Sequence, residues 1–197
     1  MCKKALTPLE NPEELFISIN KMKILKPIIC IVTGAPSSGK STISEKLANH
    51  LHNSTYINVD YIRHMVKSGH VKPFPFTKEA QKEIELSMEN AFSLAKNFLK
   101  KGFNVFIDDV LERKEQIENY KNNFKGNELF IFLLFPKIEI LKKRDKLRGK
   151  HAMGKRTVEL HKIFKRNLKN KNWNVIDNSY EKPEQTVQRI KKIICET

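Results

Sequence analysis

Cysteine is scarce in this 197-residue chain: Cys2, Cys30 and Cys195 are three in number, far apart and in no CxxC pair. That argues against a disulfide framework and a thiolate zinc site, and a reducing cytoplasm is the expected home. Long hydrophobic runs are also missing. The longest unbroken one, Leu129 to Phe135, is strand-sized, well short of the roughly 18 residues needed to cross a bilayer. The first sixteen residues lack the apolar core and small-residue cleavage site of a secretory signal. No internal repeat or low-complexity linker divides the sequence. A single domain over 27–197, preceded by an extension over 1–26, is the expected organisation.

Acidic residues are outnumbered. Lys and Arg total 37 against 22 Asp and Glu, for a net charge of +15. The excess is concentrated between Lys137 and Lys171, with 14 Lys/Arg against Glu139, Asp145 and Glu159. Such a block attracts nucleotides, phosphorylated substrates or nucleic acid alike. It lacks the interleaved aromatics on which bases would stack, so it does not single out nucleic acid. No membrane partner is expected, and the oligomeric state is not legible.

The apolar pattern alternates between two periods. "IICIV" after Pro27 is continuous and rich in β-branched residues, as in a strand buried on both faces. Ile43, Leu47 and Leu51 then share a helical face. "TYINV" (55–59), "FNVFI" (103–107), "ELFIFLLF" (128–135) and "WNVID" (173–177) read as further strands. Between them lie a long amphipathic helix over 78–101 stopped by Gly102, a basic helix after Pro136, and a helix over 158–168. A last helix opens at Pro183, and Asn11–Pro12 would begin a short one in the extension. Strands alternating with helices predict a five-stranded, mostly parallel sheet covered on both sides, an α/β/α sandwich.

Glycine is the third scarcity, at seven residues, yet two stand five apart in "IVTGAPSSGKST". Gly34-Ala35-Pro36-Ser37-Ser38-Gly39-Lys40-Ser41 fits GxxxxGK[ST] in full, after a buried strand and before an amphipathic helix. Glycines at these positions let successive backbone N–H groups close around phosphates at a positive helix N-terminus. Lys40 would reach the β- and γ-phosphates, Ser41 would hold Mg²⁺, and Thr42 would lie beside the α-phosphate. The chain carries no Asn-Lys-x-Asp guanine motif and no sensor segments of a ring ATPase.

The P-loop together with "VDYIRHMV" (59–66), "GFNVFIDDVL" (102–111) and "KRDKLRGKHAMGKRTVELH" (143–161) resembles the chloramphenicol phosphotransferase-like branch of the P-loop kinases. Relatives of that branch include polynucleotide 5′-kinases and zeta-toxin-like kinases. The resemblance spans about 28–180. It implies an ATP- and Mg²⁺-dependent kinase acting on a hydroxyl of a small molecule. The alternatives are a polynucleotide or nucleoside 5′-hydroxyl as acceptor, or a nucleotide-binding regulatory protein.

The resemblance also assigns roles. Asp60 would accept or orient the acceptor hydroxyl's proton, although Asp is equally a favoured helix cap. Arg63, one turn on, would hold the acceptor or a phosphate. Asp108 would serve Mg²⁺, with Asp109 as its competitor. Arg144, Arg148 and Arg156 would belong to an arginine-rich lid over about 144–158, whose guanidinium groups spread over the transferring phosphoryl oxygens. His161 fits the pattern at the end of that stretch. Residues 177–179 would lie near adenine. For the segment from Ser68 to Thr77 the resemblance offers no counterpart that identifies the acceptor; read from the residues themselves, 67–77 with Phe74 and Phe76 would line the acceptor pocket, or equally form a packed surface loop.

Overall fold

A computed structural model describes residues 26–168 and 173–196. The helix expected in the N-terminal extension lies outside the described residues. Five strands form one sheet: β1 (Ile28–Gly34), β2 (Ser54–Asn58), β3 (Asn104–Asp108), β4 (Glu128–Leu134) and β5 (Asn174–Ile176), in the order β2-β3-β1-β4-β5. Every pairing is parallel. β1 is buried at all seven positions. Its side chains alternate, so Ile29 and Ile31 enter one core while Ile28, Cys30 and Val32 enter the other. Burial pushes the Cys30 thiol well above its ordinary pKa, which leaves it protonated and inert.

Helices α1 (Lys40–His50) and α7 (Pro183–Cys195) cover one face of the sheet. The other face carries α3 (Lys78–Lys100), α4 (Lys114–Asn123) and α6 (Lys155–Asn167). A short α2 (Val59–Arg63) follows β2, and α5 (Ile138–Leu147) follows β4. The hydrophobic spacing does not bring out α4: Ile117 and Tyr120 are buried there beside Gln116, too few apolar positions for a stripe. Thr77 starts α3 by accepting a bond from the Ala80 N–H at 3.1 Å, and Gly102 follows its end at φ +83°.

Strand order reverses at β1, whose neighbours on either side are β3 and β4. Connections therefore leave its C-terminal end toward both faces and open a crevice there. Register brings Val32, Asp108 and Asn58 level across three strands at that end. The sheet thus delivers the P-loop, Asn58 and Asp108 to one place.

Candidate active site

β1 ends at Gly34, the first glycine of the phosphate-binding pattern. Its φ is +151°, and a Cβ there would stand 2.6 Å from the Leu134 carbonyl oxygen and 2.7 Å from Ser38 Oγ. Only glycine lets the chain leave the sheet so close to β4. Gly39, at φ +102°, starts α1 without a side-chain cap, and the first turn of α1 holds no acid. The positive end of the helix is left for an anion to satisfy. Ala35 and Ser38 are buried and form the floor of the loop. Pro36, Ser37, Gly39, Lys40, Ser41 and Thr42 line a cleft of about 440 Å³.

Asp108 faces this cleft from β3. Its Oδ2 accepts a bond from Ser41 Oγ at 2.5 Å and from Asn58 Nδ2 at 3.0 Å. Burial raises its pKa, and the Lys40 charge and the Ser41 hydroxyl oppose that rise. Asp109 turns the other way. It accepts from the Tyr120 hydroxyl at 2.9 Å and from the Val110 N–H at 2.7 Å, and desolvation lifts it to about 7. One hydroxyl and one carboxylate are hard oxygen donors suited to Mg²⁺, which keeps waters and phosphate oxygens as its other ligands. Among the described residues no group of three or more His, Cys, Asp or Glu forms an all-protein metal cage.

Sequence reasoning missed Asn58. Its Nδ2 holds Asp108, while its Oδ1 accepts the Tyr61 N–H at 3.0 Å and caps α2. The capping role open to Asp60 therefore falls to Asn58. Asp60, 64% exposed at its side chain, lines the cleft and pairs with Arg63 Nη2 at 2.9 Å. Arg63 is buried rather than on the surface, and its Nη1 has no partner. Arg63 also lines a second cleft of about 450 Å³, between α2 and one face of α3, with Glu83, Ser87, Asn90 and Leu94. The Asp60–Arg63 pair stands where the two clefts adjoin.

Four residues apart on α5, Arg144 and Arg148 both line the phosphate cleft. Arg144 also donates to the carbonyls of Asn178 (2.8 Å) and Ser179 (3.2 Å). Asn178 in turn donates to the Ser38 carbonyl at 2.9 Å, so residues 178–179 brace the P-loop and Arg144 together. Arg156 is not in the cleft lining. Its Nη2 donates to both Glu112 oxygens at 2.7 Å. Phe74 and Phe76 line neither cleft and lie beneath Arg156 and Arg113.

A second missed residue is Asp145, an acid inside the basic block. It is buried on the inner side of α5 and accepts from Ser37 Oγ (2.9 Å), Met153 N (3.2 Å) and Gly154 N (2.8 Å). Burial alone would raise its pKa, but these bonds more than offset that and hold it below the ordinary value. It joins the P-loop to the turn after α5. Asp145→Ala should cost about 2–3 kcal/mol of stability, since three donors lose a charged acceptor. Urea denaturation measures this, and an unchanged midpoint would remove Asp145 from the scaffold of the site.

His161 has a structural setting. It stacks on Phe135 at 4.4 Å between centroids, and its Nε2 lies 3.2 Å from the Pro136 carbonyl. Burial lowers its pKa, so the folded state disfavours the imidazolium. The stability tied to the neutral ring is present above about 6.5 and is lost as pH falls below that value. His161→Gln should flatten the fall in denaturation midpoint between pH 8 and pH 5. An identical fall in both proteins would exclude this origin.

The fold recurs in solved structures. A sugar kinase from Janibacter sp. HTCC2649 superposes with a TM-score of 0.64 at 15% identity, covering 86% of this chain and 95% of that one. The tunicamycin resistance protein of Deinococcus radiodurans gives 0.63 at 13% identity, covering 86% and 96%. Thymidylate kinase from Candida albicans gives 0.62 at 14%, covering 87% and 92%. No curated protein matches the sequence significantly. The family model for chloramphenicol phosphotransferase-like proteins matches residues 27–195, almost all of the described chain, and with the P-loop at the head of a five-stranded parallel sheet this protein belongs to that family of P-loop kinases.

Proposed function

We propose that the protein transfers the γ-phosphoryl group of ATP to a hydroxyl of a small, uncharged molecule. The observation that carries this reading is the Asp60–Arg63 pair at the junction of a phosphate cleft and a second, amphiphilic cleft. Triphosphate would lie along the amides of 36–42, with Lys40 against its terminal oxygens. Ser41 and Asp108 would hold Mg²⁺, which supplies charge neutralisation at the β- and γ-oxygens. Asp60, open to solvent and fixed by Arg63, is disposed to accept the proton of an acceptor hydroxyl and to align it for in-line attack. Arg148 and Arg144 would spread over the phosphoryl oxygens as the segment over 144–158 closes and excludes water.

The second cleft supports an uncharged acceptor. Arg63 is its one cationic lining residue and shares its charge with Asp60 through Nη2, leaving only Nη1 without a partner, while Glu83 is held by His70 at 2.8 Å. Ile62, Met65, Val66, Leu86 and Leu94 give it apolar walls beside Ser87 and Asn90. A phosphorylated acceptor would need free cations there. A polynucleotide 5′-hydroxyl is the second reading, favoured by Lys142, Lys143 and Lys146, which are exposed on α5 beside Arg144 and Arg148.

The test follows ADP release from Mg·ATP with hydroxylated antibiotics, nucleosides, sugars and 5′-hydroxyl oligonucleotides as acceptors. Stimulation by an uncharged small molecule is expected. Stimulation by oligonucleotides alone, lost steeply with salt, would replace the first reading with the second. A rate no acceptor raises above hydrolysis would remove both.

A further inference from the structure

Two arginines and two phenylalanines connect elements that phosphoryl transfer alone leaves separate. Residues 64–77 run from α2 to α3. At its middle this loop is fastened to the wall of the second cleft, where Glu83 accepts the Val71 N–H at 2.9 Å and lies 2.8 Å from His70 Nδ1. Farther on it carries Phe74 and Phe76. The guanidinium carbon of Arg156 stands 4.6 Å over the Phe74 ring, and that of Arg113 stands 4.4 Å over the Phe76 ring. Beside Arg113 is Glu112, whose two oxygens hold Arg156 Nη2.

Electrostatics explains why Glu112 matters to this arrangement. α6 begins with Lys155 and Arg156, has no acid in its first turn, and starts at Gly154 without a side-chain cap. Cations at the positive end of a helix repel it. Glu112 supplies a negative charge from the segment after β3 at 2.7 Å from Arg156 Nη2, closer than Glu159 of α6 itself, which lies 3.6 Å from Arg156 Nη1. The pair is mostly enclosed, at 17% and 24% side-chain exposure, where solvent screens it less than on an open surface. A guanidinium fixed by a carboxylate also presents its flat face to an aromatic ring without further loss of freedom.

We propose that Glu112 is a positioning residue that, through Arg156, locks the acceptor-side loop to the lid segment, so that the two clefts order together. This rests on the reading of the two clefts given above, but it is tested without turnover. In the full-length protein, Glu112→Gln should speed amide hydrogen exchange over residues 156–163 by about tenfold, as expected when a local opening loses roughly one charged contact. The same variant should speed chymotryptic cleavage after Phe76 to a similar degree, although that bond lies on another element. Glu112→Asp should recover part of the protection at both places. Phe74→Leu should loosen 156–163 from the opposite side, while exchange in β1 and β3 stays as in the wild type.

With Mg·ATP hydrolysis as the kinetic readout, Glu112→Gln should raise KM more than it lowers kcat. Loosening of 156–163 with unchanged cleavage after Phe76 would confine Glu112 to its own helix and overturn the proposal. So would a Phe74→Leu variant with native exchange in 156–163, or a Glu112→Gln variant unaltered at both sites. The acceptor screen decides the kinase reading independently, because neither exchange nor cleavage requires an acceptor.

Discussion

Asp60→Asn is expected to lower transfer to the acceptor by about 10²–10⁴, the range for loss of a positioned general base. The substitution keeps the size and shape of the side chain. Its amide oxygen can still accept from Arg63 Nη2, so α2, capped by Asn58, should keep its place. What disappears is the charge proposed to draw the acceptor's proton. ATP affinity should change little, because Asp60 lines the cleft but is not one of the residues 36–42 whose backbone amides would hold the phosphates. Parallel measurement of acceptor turnover and of ATP-analogue binding by calorimetry checks this. A variant with full turnover would remove Asp60 from the chemistry. A variant that no longer binds nucleotide would mean that the residue shapes the phosphate cleft instead.

Lys40→Met should be nearly as severe for a different reason, with a loss in turnover of about 10³ from removing one preorganised charge at the developing phosphoryl oxygens. Met retains the unbranched stem, so packing at the start of α1 should survive. The substitution also withdraws the nearby positive charge that opposes the raised pKa of buried Asp108. Asp108 should then ionise at higher pH, and activity that remains should increase with pH over a higher range than in the wild type. Single-turnover rates across pH with excess enzyme give both quantities. Wild-type turnover in Lys40→Met would contradict the placement of the triphosphate along residues 36–42.

How much of the site is legible in the sequence depends on how local each interaction is. The P-loop is legible because its geometry is set within eight consecutive residues: two glycines reach positive φ and the chain then enters a helix. Asp60 and Arg63 are legible as a pair because i and i+3 meet on any helix, and they do so at 2.9 Å. Choosing between Asp108 and Asp109 required the sheet. Adjacent residues at a strand end point to opposite sides, and only the packing shows that Asp109 has Tyr120 while Asp108 has Ser41.

The residues that sequence reasoning passed over share one property: each has a partner distant in the chain. Asn58 meets Asp108 fifty positions later, Ser37 meets Asp145 after 108, and Glu112 meets Arg156 after 44. In the sequence Asp145 is one acid in a cationic block, and folding turns it inward to accept two backbone N–H groups of the following turn. Phe74 and Phe76 read as apolar lining, yet their ring faces are taken by guanidinium groups, which no hydrophobic pattern specifies.

By itself, then, the sequence determined the layered α/β architecture, the phosphate-binding loop and the carboxylate–arginine step after the second strand. Each of these follows from periodicity or spacing within a few residues, where backbone geometry leaves little choice. Tertiary structure alone decided which carboxylate faces Ser41, that Arg63 is buried between two clefts, and that Arg156 is held by Glu112. Those outcomes depend on which side chains meet across the sheet and between helices. Such meetings are fixed by the packing of the whole domain, to which no single stretch of the chain has access.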